Sequence, residues 1–368
     1  MRILITGSRG QLGTDLQRSL AEHELIPCTH DELDVTEKHR VYGLLKDHQP
    51  DAVINTAAYH RVDECESHPD KTFAVNAFGP WHMAMACRMY GAKLVHVSTN
   101  FVFDGTADRP YREDDLPLPL NVYGTAKLSG EHLVRSTWDR HFIIRTTGLF
   151  GHSGEGGKGY NFVEAMIRAG TERREVVVVG DQVMAPTGTA DLARALAELV
   201  TTDAYGTYHV TSAGACSYYD FARTIFRKTG IEAALKPTTT EAYGAPAARP
   251  LYTVLDNGRI RSLGIEEMPT WEDALDDYLA RRAGATDALG AGRGDARPAG
   301  ATDALGAGRG DARPAGATDA LGAGRGDAQL AGPTDARAAR PSDKGRAGRG
   351  DARGAHPDAT DETTGGNP

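Results

Sequence analysis

The chain has 368 residues and a formal net charge of −9, with 50 Asp and Glu against 41 Lys and Arg. That balance argues against a general nucleic-acid surface, and no apolar run reaches the roughly 18 residues of a membrane span. Cys28, Cys65, Cys87 and Cys216 have no C-x-x-C spacing and sit in apolar or helical stretches. They predict reduced thiols, neither a zinc site nor a disulfide frame. "MRILITG" moves directly into a strand, so no signal peptide is expected, and the expected location is the cytoplasm.

Short β-branched runs alternate with helical patterns along the chain. Strands are predicted at 2–6, 24–28, 51–57, 93–99, 141–147, 175–180 and 206–211. Helices are predicted at about 12–21, 37–48, 70–90, 121–136, 160–171, 189–200, 217–229 and 271–282. Strands that are apolar nearly throughout, each followed by a helix, imply a parallel sheet covered on both faces. The fold class is therefore α/β, a Rossmann-type doubly wound sheet, and such sheets bind ligands at the carboxyl ends of their strands. From Ala285 the text "ATDALGAGRGDARPAG" recurs with a 16-residue period and one Leu per unit. With no aromatic or β-branched face to stack, residues 285–368 are expected to be a disordered low-complexity tail. "RGD" occurs in it four times. An adhesion motif is the functional reading; a by-product of the expanded repeat is the reading we favour.

"ILITGSRGQLGTDL" places Gly7, Gly10 and Gly13 between a strand and a helix. Gly7 permits the tight turn, Gly10 lets the backbone approach a pyrophosphate, and Gly13 lets the helix pack close to the sheet. The helix N-terminus then faces the phosphates with free N–H groups. The spacing is GxxGxxG, and the second strand does not end in the single acid that grips an adenosine ribose in many NAD enzymes. Arg9 stands in this loop. It either pairs with a 2′-phosphate, which tilts the choice towards NADPH over NADH, or is a solvated loop arginine.

"PLNVYGTAKLSGE" puts Tyr123 and Lys127 on one face of a helix. A ketone reductase needs a proton donor beside the carbonyl oxygen and a cation that makes the donor acidic. A free phenol titrates near 10, and an ammonium within ~4–6 Å lowers that value. A hydroxyl at the end of the neighbouring strand would orient the carbonyl, and Thr99 is well placed for it. YxxxK alone is common by chance. Joined to the N-terminal glycines and to the strand-end Ser98-Thr99, it points to a reductase.

With these residues the sequence resembles the dTDP-4-dehydrorhamnose reductase family of extended short-chain dehydrogenases/reductases, over about residues 1–283. The resemblance is carried by "TGSRGQLG", "ELDVTE", "INTAAYHRVDECE", "AVNAFG", "VSTNFVFDG", "PLNVYGTAKLSGE", "IIRTTGLFG", "NFVEAM", "VVGDQVMAPT" and "ARPLYTVLD". It implies one unit over 1–284. About 1–148 and 188–212 form its NAD(P)-binding Rossmann part, and about 149–187 and 213–284 a smaller substrate lobe. It implies a cofactor pyrophosphate at Gly7, Gly10, Gln11 and Leu12. Asp34 and Val35 would flank the adenine, Ala57, Ala58 and Tyr59 would line the pyrophosphate and ribose, and Val97 would lie beside the nicotinamide.

By the same resemblance Tyr123 is the proton donor, Lys127 its helper and cofactor ligand, and Thr99 the third active-site member. The implied reaction is NADPH- or NADH-dependent reduction of the C4 ketone of a nucleotide-linked 6-deoxy-4-ketohexose. Arg249 is either a ligand of the substrate diphosphate or a structural arginine; Asn161 and Gln182 are further substrate-side candidates. Two departures bear on the sugar. Asn100 stands where the family usually has Asp, and keeps hydrogen bonding without the charge. Gly148 stands where many members have a Trp that packs on the sugar, which removes stacking area and is expected to enlarge the pocket. Some members use Mg²⁺ between subunits. Asp15, Asp191 and Asp276 or Asp277 fall near matching places, but solvated helix acids are the better reading and no metal site is expected. The expected partner is a small nucleotide sugar, with no nucleic acid and no membrane, in a monomer or homodimer.

Rival readings are weaker. A 4,6-dehydratase needs an acid and a base just after the threonine, and Asn100 and Phe101 supply neither. The flanking text fits a 4-epimerase poorly. A non-catalytic relative that regulates methionine adenosyltransferase would tolerate loss of the Tyr/Lys pair, which is present here. A bare Rossmann redox sensor is the blandest alternative.

Overall fold

The structure, a computed structural model, describes residues 1–152, 161–265 and 268–291, with 285–291 as backbone only. The chain opens with β1 (Arg2–Thr6), α1 (Gln11–Ser19), β2 (Glu24–Cys28), α2 (Lys38–His48) and β3 (Ala52–Asn55). Then come α3 (Val62–Ser67), α4 (Pro69–Phe73), a π-helical turn at Ala74–Phe78 and α5 (Gly79–Tyr90). β4 (Lys93–Thr99) runs into a 3-10 turn at Asn100–Val102, followed by α6 (Val122–Thr137), β5 (His141–Thr146) and β6 (Leu149–Phe150). Next are α7 (Phe162–Glu172), β7 (Glu175–Val179), β8 (Val183–Met184), β9 (Thr187–Gly188), α8 (Thr189–Thr201) and β10 (Gly206–His209). β11 (Cys216–Ser217), α9 (Tyr218–Thr229), β12 (Ala234–Thr238), α10 (Thr240–Tyr243), α11 (Gly258–Ser262) and α12 (Trp271–Ala291) complete it.

Six strands form one sheet in the order β10-β5-β4-β3-β1-β2, and every pair in it is parallel. The chain leaves β1 first to one side and then to the other, so a crevice opens past the carboxyl ends of β1 and β3. Alternation along the strands supplies both faces. Ile3, Ile5, Ile54, Val95, Phe142 and Ile144 pack with Leu16 of α1 and Leu196 and Leu199 of α8. Leu4, Val53, Leu94 and Ile143 pack with Val41 of α2 and Met83 and Cys87 of α5. A second core, around Phe150, Val176, Phe221, Ile225, Trp271 and Leu275, holds a smaller lobe. In that lobe β7 pairs with β12 and β8 with β11. The described residues all fall in one compact unit.

Most predicted elements stand, with instructive differences. The helix expected over 70–90 is broken by the π-helical turn just before Gly79-Pro80. Pro80 has no N–H to donate, so the regular ladder cannot run through it. α12 continues to Ala291, past the boundary at 284. Residues 292–368, the rest of the repeat tail, lie outside the described residues. The four cysteines are free and buried. Among the described residues no helix is long and apolar enough to cross a membrane.

Candidate active site

The loop after β1 is built around its glycines. Gly7 has φ 65°, and a Cβ there would stand 2.7 Å from Thr56 Oγ1. A Cβ on Gly13 would stand 2.3 Å from the Gly7 carbonyl oxygen, so α1 can approach the loop this closely only without a side chain. Gly10 N–H donates to the Gly7 carbonyl at 2.9 Å. Gly10 is also the N-cap of α1, with no side chain capping the helix and no acid in its first turn. An uncapped helix start behind an exposed glycine suits an anionic pyrophosphate. Leu12 is buried under the loop, and Gln11 is half-buried at its end. Arg9 is exposed, and its charge helps hold the Glu32 carboxyl below its usual range, after the larger effect of hydrogen bonds from Thr29.

The neighbouring strand ends complete the crevice. Thr6 Oγ1 donates to Asn55 Oδ1 at 2.8 Å, and the same oxygen accepts from Ala57 N–H at 3.2 Å. Ala57 is half-buried and Ala58 exposed. The Tyr59 segment is clamped by Asn76 of the π-helical turn. Tyr59 N–H donates to Asn76 Oδ1 at 3.0 Å, and Asn76 Nδ2 donates to the Tyr59 carbonyl at 2.9 Å. Tyr59 OH donates to Glu64 at 2.8 Å. Burial, followed by that bond to Glu64, pushes the Tyr59 phenol up to about 12. Asp34 is half-buried; burial alone would raise it, but hydrogen bonds from Thr36 N–H and Oγ1 leave it below its usual range. Val35 beside it is buried.

Tyr123, Lys127 and Thr99 come together where β4 meets α6. Asn121 starts α6 by accepting from Gly124 N–H at 2.7 Å, which sets Tyr123 in the first turn. Lys127 is 1 % exposed and donates to the carbonyl of Val97 at 2.6 Å. Tyr123 packs edge-on against Phe101, with ring centroids 6.0 Å apart. Burial pushes the Tyr123 phenol up to about 12, against the pull of a hydrogen bond with Thr99. The expectation that Lys127 would lower the phenol is thus corrected. Burial is the largest effect on the phenol, and Lys127 is directed at the Val97 carbonyl. Tyr123 is a protonated phenol at neutral pH, the form that a proton donor requires. Burial pulls Lys127 down to about 8, while the carboxylate of Glu131 opposes that fall.

Asn100 is buried beside this group and donates from Nδ2 to Thr253 Oγ1 at 2.7 Å. It joins the end of β4 to the "ARPLYTVLD" segment. Asn76, Asn55 and Thr253 lie inside stretches that marked the family, yet nothing in a sequence pattern separates an amide that clamps a backbone from one in solvent.

The substrate-side candidates stand differently. Gly148 has φ 56°, and a Cβ there would lie 2.8 Å from Met184 Sδ and 3.2 Å from Pro186 Cα. The expected enlargement is therefore corrected: Met184 fills the space beside the glycine. Asn161 caps α7 through Glu164 N–H at 3.0 Å and donates to the Gly151 carbonyl at 3.0 Å. It also reaches Tyr278 OH at 3.2 Å and Gln11 Oε1 at 3.3 Å. Gln182 is buried and donates to Thr240 Oγ1 at 2.9 Å. Arg249 makes a two-pronged pair with Asp63 at 2.9 and 3.0 Å. Each of these side chains is held by the protein's own groups. The acids near the family's Mg²⁺ position are also partnered. Asp15 accepts from Thr189 Oγ1 at 2.6 Å, Asp191 pairs with Arg194, and Asp276 pairs with Lys228. Burial raises Asp191, with Asp277 adding to it against the pull of Arg194.

The family model described as the RmlD substrate binding domain matches residues 1–283. The spore coat polysaccharide biosynthesis protein SpsK of Bacillus subtilis is 40% identical over 288 residues, covering 78% of this chain and 99% of its own. A dTDP-4-dehydrorhamnose reductase of Streptomyces griseus is 40% identical over 295 residues, covering 77% of this chain and 95% of its own. The crystal structure of a dTDP-4-dehydrorhamnose reductase from Bacillus anthracis in complex with NADP superposes with a TM-score of 0.73 at 39% identity, covering 76% of this chain and 99% of that one. The chain belongs to the dTDP-4-dehydrorhamnose reductase family of RmlD-type sugar-nucleotide reductases.

Proposed function

We propose that this protein uses NADPH or NADH to reduce the C4 ketone of a dTDP-linked 6-deoxy-4-ketohexose, and that its substrate is dTDP-4-dehydro-L-rhamnose. The observation that carries this reading is the group at the carboxyl end of β4: Thr99 closing the strand, Tyr123 in the first turn of α6 against Phe101, and Lys127 one helical turn on, donating to the Val97 carbonyl. A bound nicotinamide supplies the hydride. Gly7, Gly10, Gln11, Leu12 and Gly13 hold its pyrophosphate; Asp34, Val35, Ala57, Ala58, Tyr59 and Val97 line the rest. The tight glycine turn, in which Gly7 and Gly13 have no room for a side chain, and the uncapped start of α1 both fit such a group.

Tyr123 gives its phenolic proton to the ketone oxygen as the hydride arrives at carbon, and Thr99 orients that oxygen. Lys127 steadies the phenolate left behind. Arg9, exposed in the glycine loop, would meet a 2′-phosphate, which tilts the choice towards NADPH. The family resemblance favours rhamnose as the product, while Asn100 and Gly148 leave reductases of other dTDP-4-keto-deoxysugars as the alternative. The test is reduced-cofactor oxidation with a panel of nucleotide 4-ketosugars. Tyr123→Phe should lose roughly 10²–10⁴-fold in turnover. Equal consumption of cofactor by wild type and variant would overturn the catalytic assignment.

A further inference from the structure

One turn beyond Lys127 on α6, Glu131 is wholly buried. Its carboxylate accepts from Ser98 Oγ at 2.6 Å, from Arg145 Nε at 3.0 and 3.2 Å, and from Arg145 Nη2 at 2.7 Å. Ser98 on β4 and Arg145 on β5 stand opposite each other in register. Arg145 is 2 % exposed, with its guanidinium 5.1 Å from the centre of the Phe103 ring. Glu131 thus ties together two strands directly behind Val97 and Thr99.

Packing does not call for such a group. Taking two charges out of water costs several kcal/mol per ion, and apolar residues of similar volume hold a helix to a sheet as well or better. The charge does have a use next door. Residues four apart share a helix face, so Glu131 adjoins the buried ammonium of Lys127. The other titratable groups around Lys127 are Tyr123 on α6, His96 on β4, Arg145 on β5 and Cys65 on α3 beside Tyr123. His96 is kept neutral by burial and by the Lys127 charge. The π-helical and 3-10 turns against α6 add Asn76 and Phe101, and Lys71 and Glu64 are directed at Tyr59. Of these groups Glu131 alone combines full burial with a negative charge.

We propose that Glu131 is a positioning residue for the reductase: held by Ser98 and Arg145, its carboxylate keeps Lys127 an ammonium and fixes the strand end that receives it. The inference rests on the role given above to Lys127. Neutralising Glu131 removes an opposing charge, so Lys127 should give up its proton at lower pH. Neutralising Arg145 as well restores the balance of buried charge, and by removing a nearby cation should also undo part of that fall.

The test uses the full chain as wild type, Glu131→Gln and the double variant Glu131→Gln/Arg145→Met. The Lys127 amine is titrated by NMR in ¹⁵N-lysine-labelled protein without ligand, its signal assigned by Lys127→Arg. The basic limb of kcat/KM and a thermal melt accompany it. Glu131→Gln should move the Lys127 titration and the basic limb down by about one pH unit. The double variant should recover the melt and show a smaller downward shift than the single variant, because a cation has gone as well as an anion. An unmoved titration in Glu131→Gln would overturn the proposal. Should that variant not fold, Glu131→Asp takes its place: its charge is drawn back, the Lys127 titration should fall by less, and an unmoved titration would again overturn the proposal. A wild type without turnover on any ketosugar would sink the proposed function instead, and the NMR titration would still judge this one.

Discussion

At the carboxyl ends of β1, β3 and β4, polar side chains bond to one another or to nearby backbone. Thr6 Oγ1 bonds Asn55, the Asn76 amide brackets the Tyr59 backbone, and Lys127 bonds the Val97 carbonyl. In the smaller lobe the polar residues singled out from sequence bond outward to their own supports: Asn161 to the start of α7, Gln182 to Thr240, Arg249 to Asp63. One half is laid out by short motifs whose spacing places the groups. The other is assembled from loops far apart in sequence, and its polar residues hold the lobe together. Reaction type is therefore written more legibly than choice of sugar.

The largest effect that would sharpen this contrast concerns Lys127. Burial lowers it from 10.5 to about 8, which costs about 3 kcal/mol of stability at neutral pH. The unfolded chain holds that proton more tightly, so the wild type should gain stability as pH rises from about 8 to 10.5. Lys127→Met should be more stable at neutral pH, lack that gain, and lose turnover. Urea unfolding across this range checks it, and parallel pH curves for the two proteins would contradict it. Gly148→Trp comes next. Its positive φ and the approach to Met184 and Pro186 should cost about 2 kcal/mol or more. A stable variant with tighter sugar binding would break the contrast, because it would reveal room for an indole.

Asn161→Ala should cost about 1 kcal/mol through the lost cap, with KM for the sugar nearly unchanged. A large rise in KM at constant stability would return Asn161 to the substrate. The smallest change expected is Asn100→Asp. It disturbs one hydrogen bond, to Thr253, and should alter kcat/KM by less than about tenfold.

The sequence and the structure agree best where an apolar run ends abruptly. The bounds of β1, β2 and β4 coincide with the predicted ones because polar or glycine residues cut the pattern sharply. β12 went unread because Pro237 interrupts it and its residues are largely exposed, and the two-residue strands of the lobe carry no periodicity at all. The Tyr123 phenol was expected to fall and instead rises, because spacing reveals a neighbour's charge but not how far the fold takes the group out of water or where that charge is directed. Asn76 and Glu131 were invisible for a related reason. A polar residue on a helix reads as solvated until the elements packed over it are known.

The clamp between Asn76 and Tyr59 reaches into dynamics. A backbone amide in a loop ordinarily trades its hydrogen with solvent quickly, yet the Tyr59 amide is locked by a side chain that is itself 0 % exposed. Its exchange should follow the opening of the α6 layer and not the breathing of the loop. The segment proposed to line the dinucleotide would then be set before anything binds, with little ordering entropy left to lose on arrival.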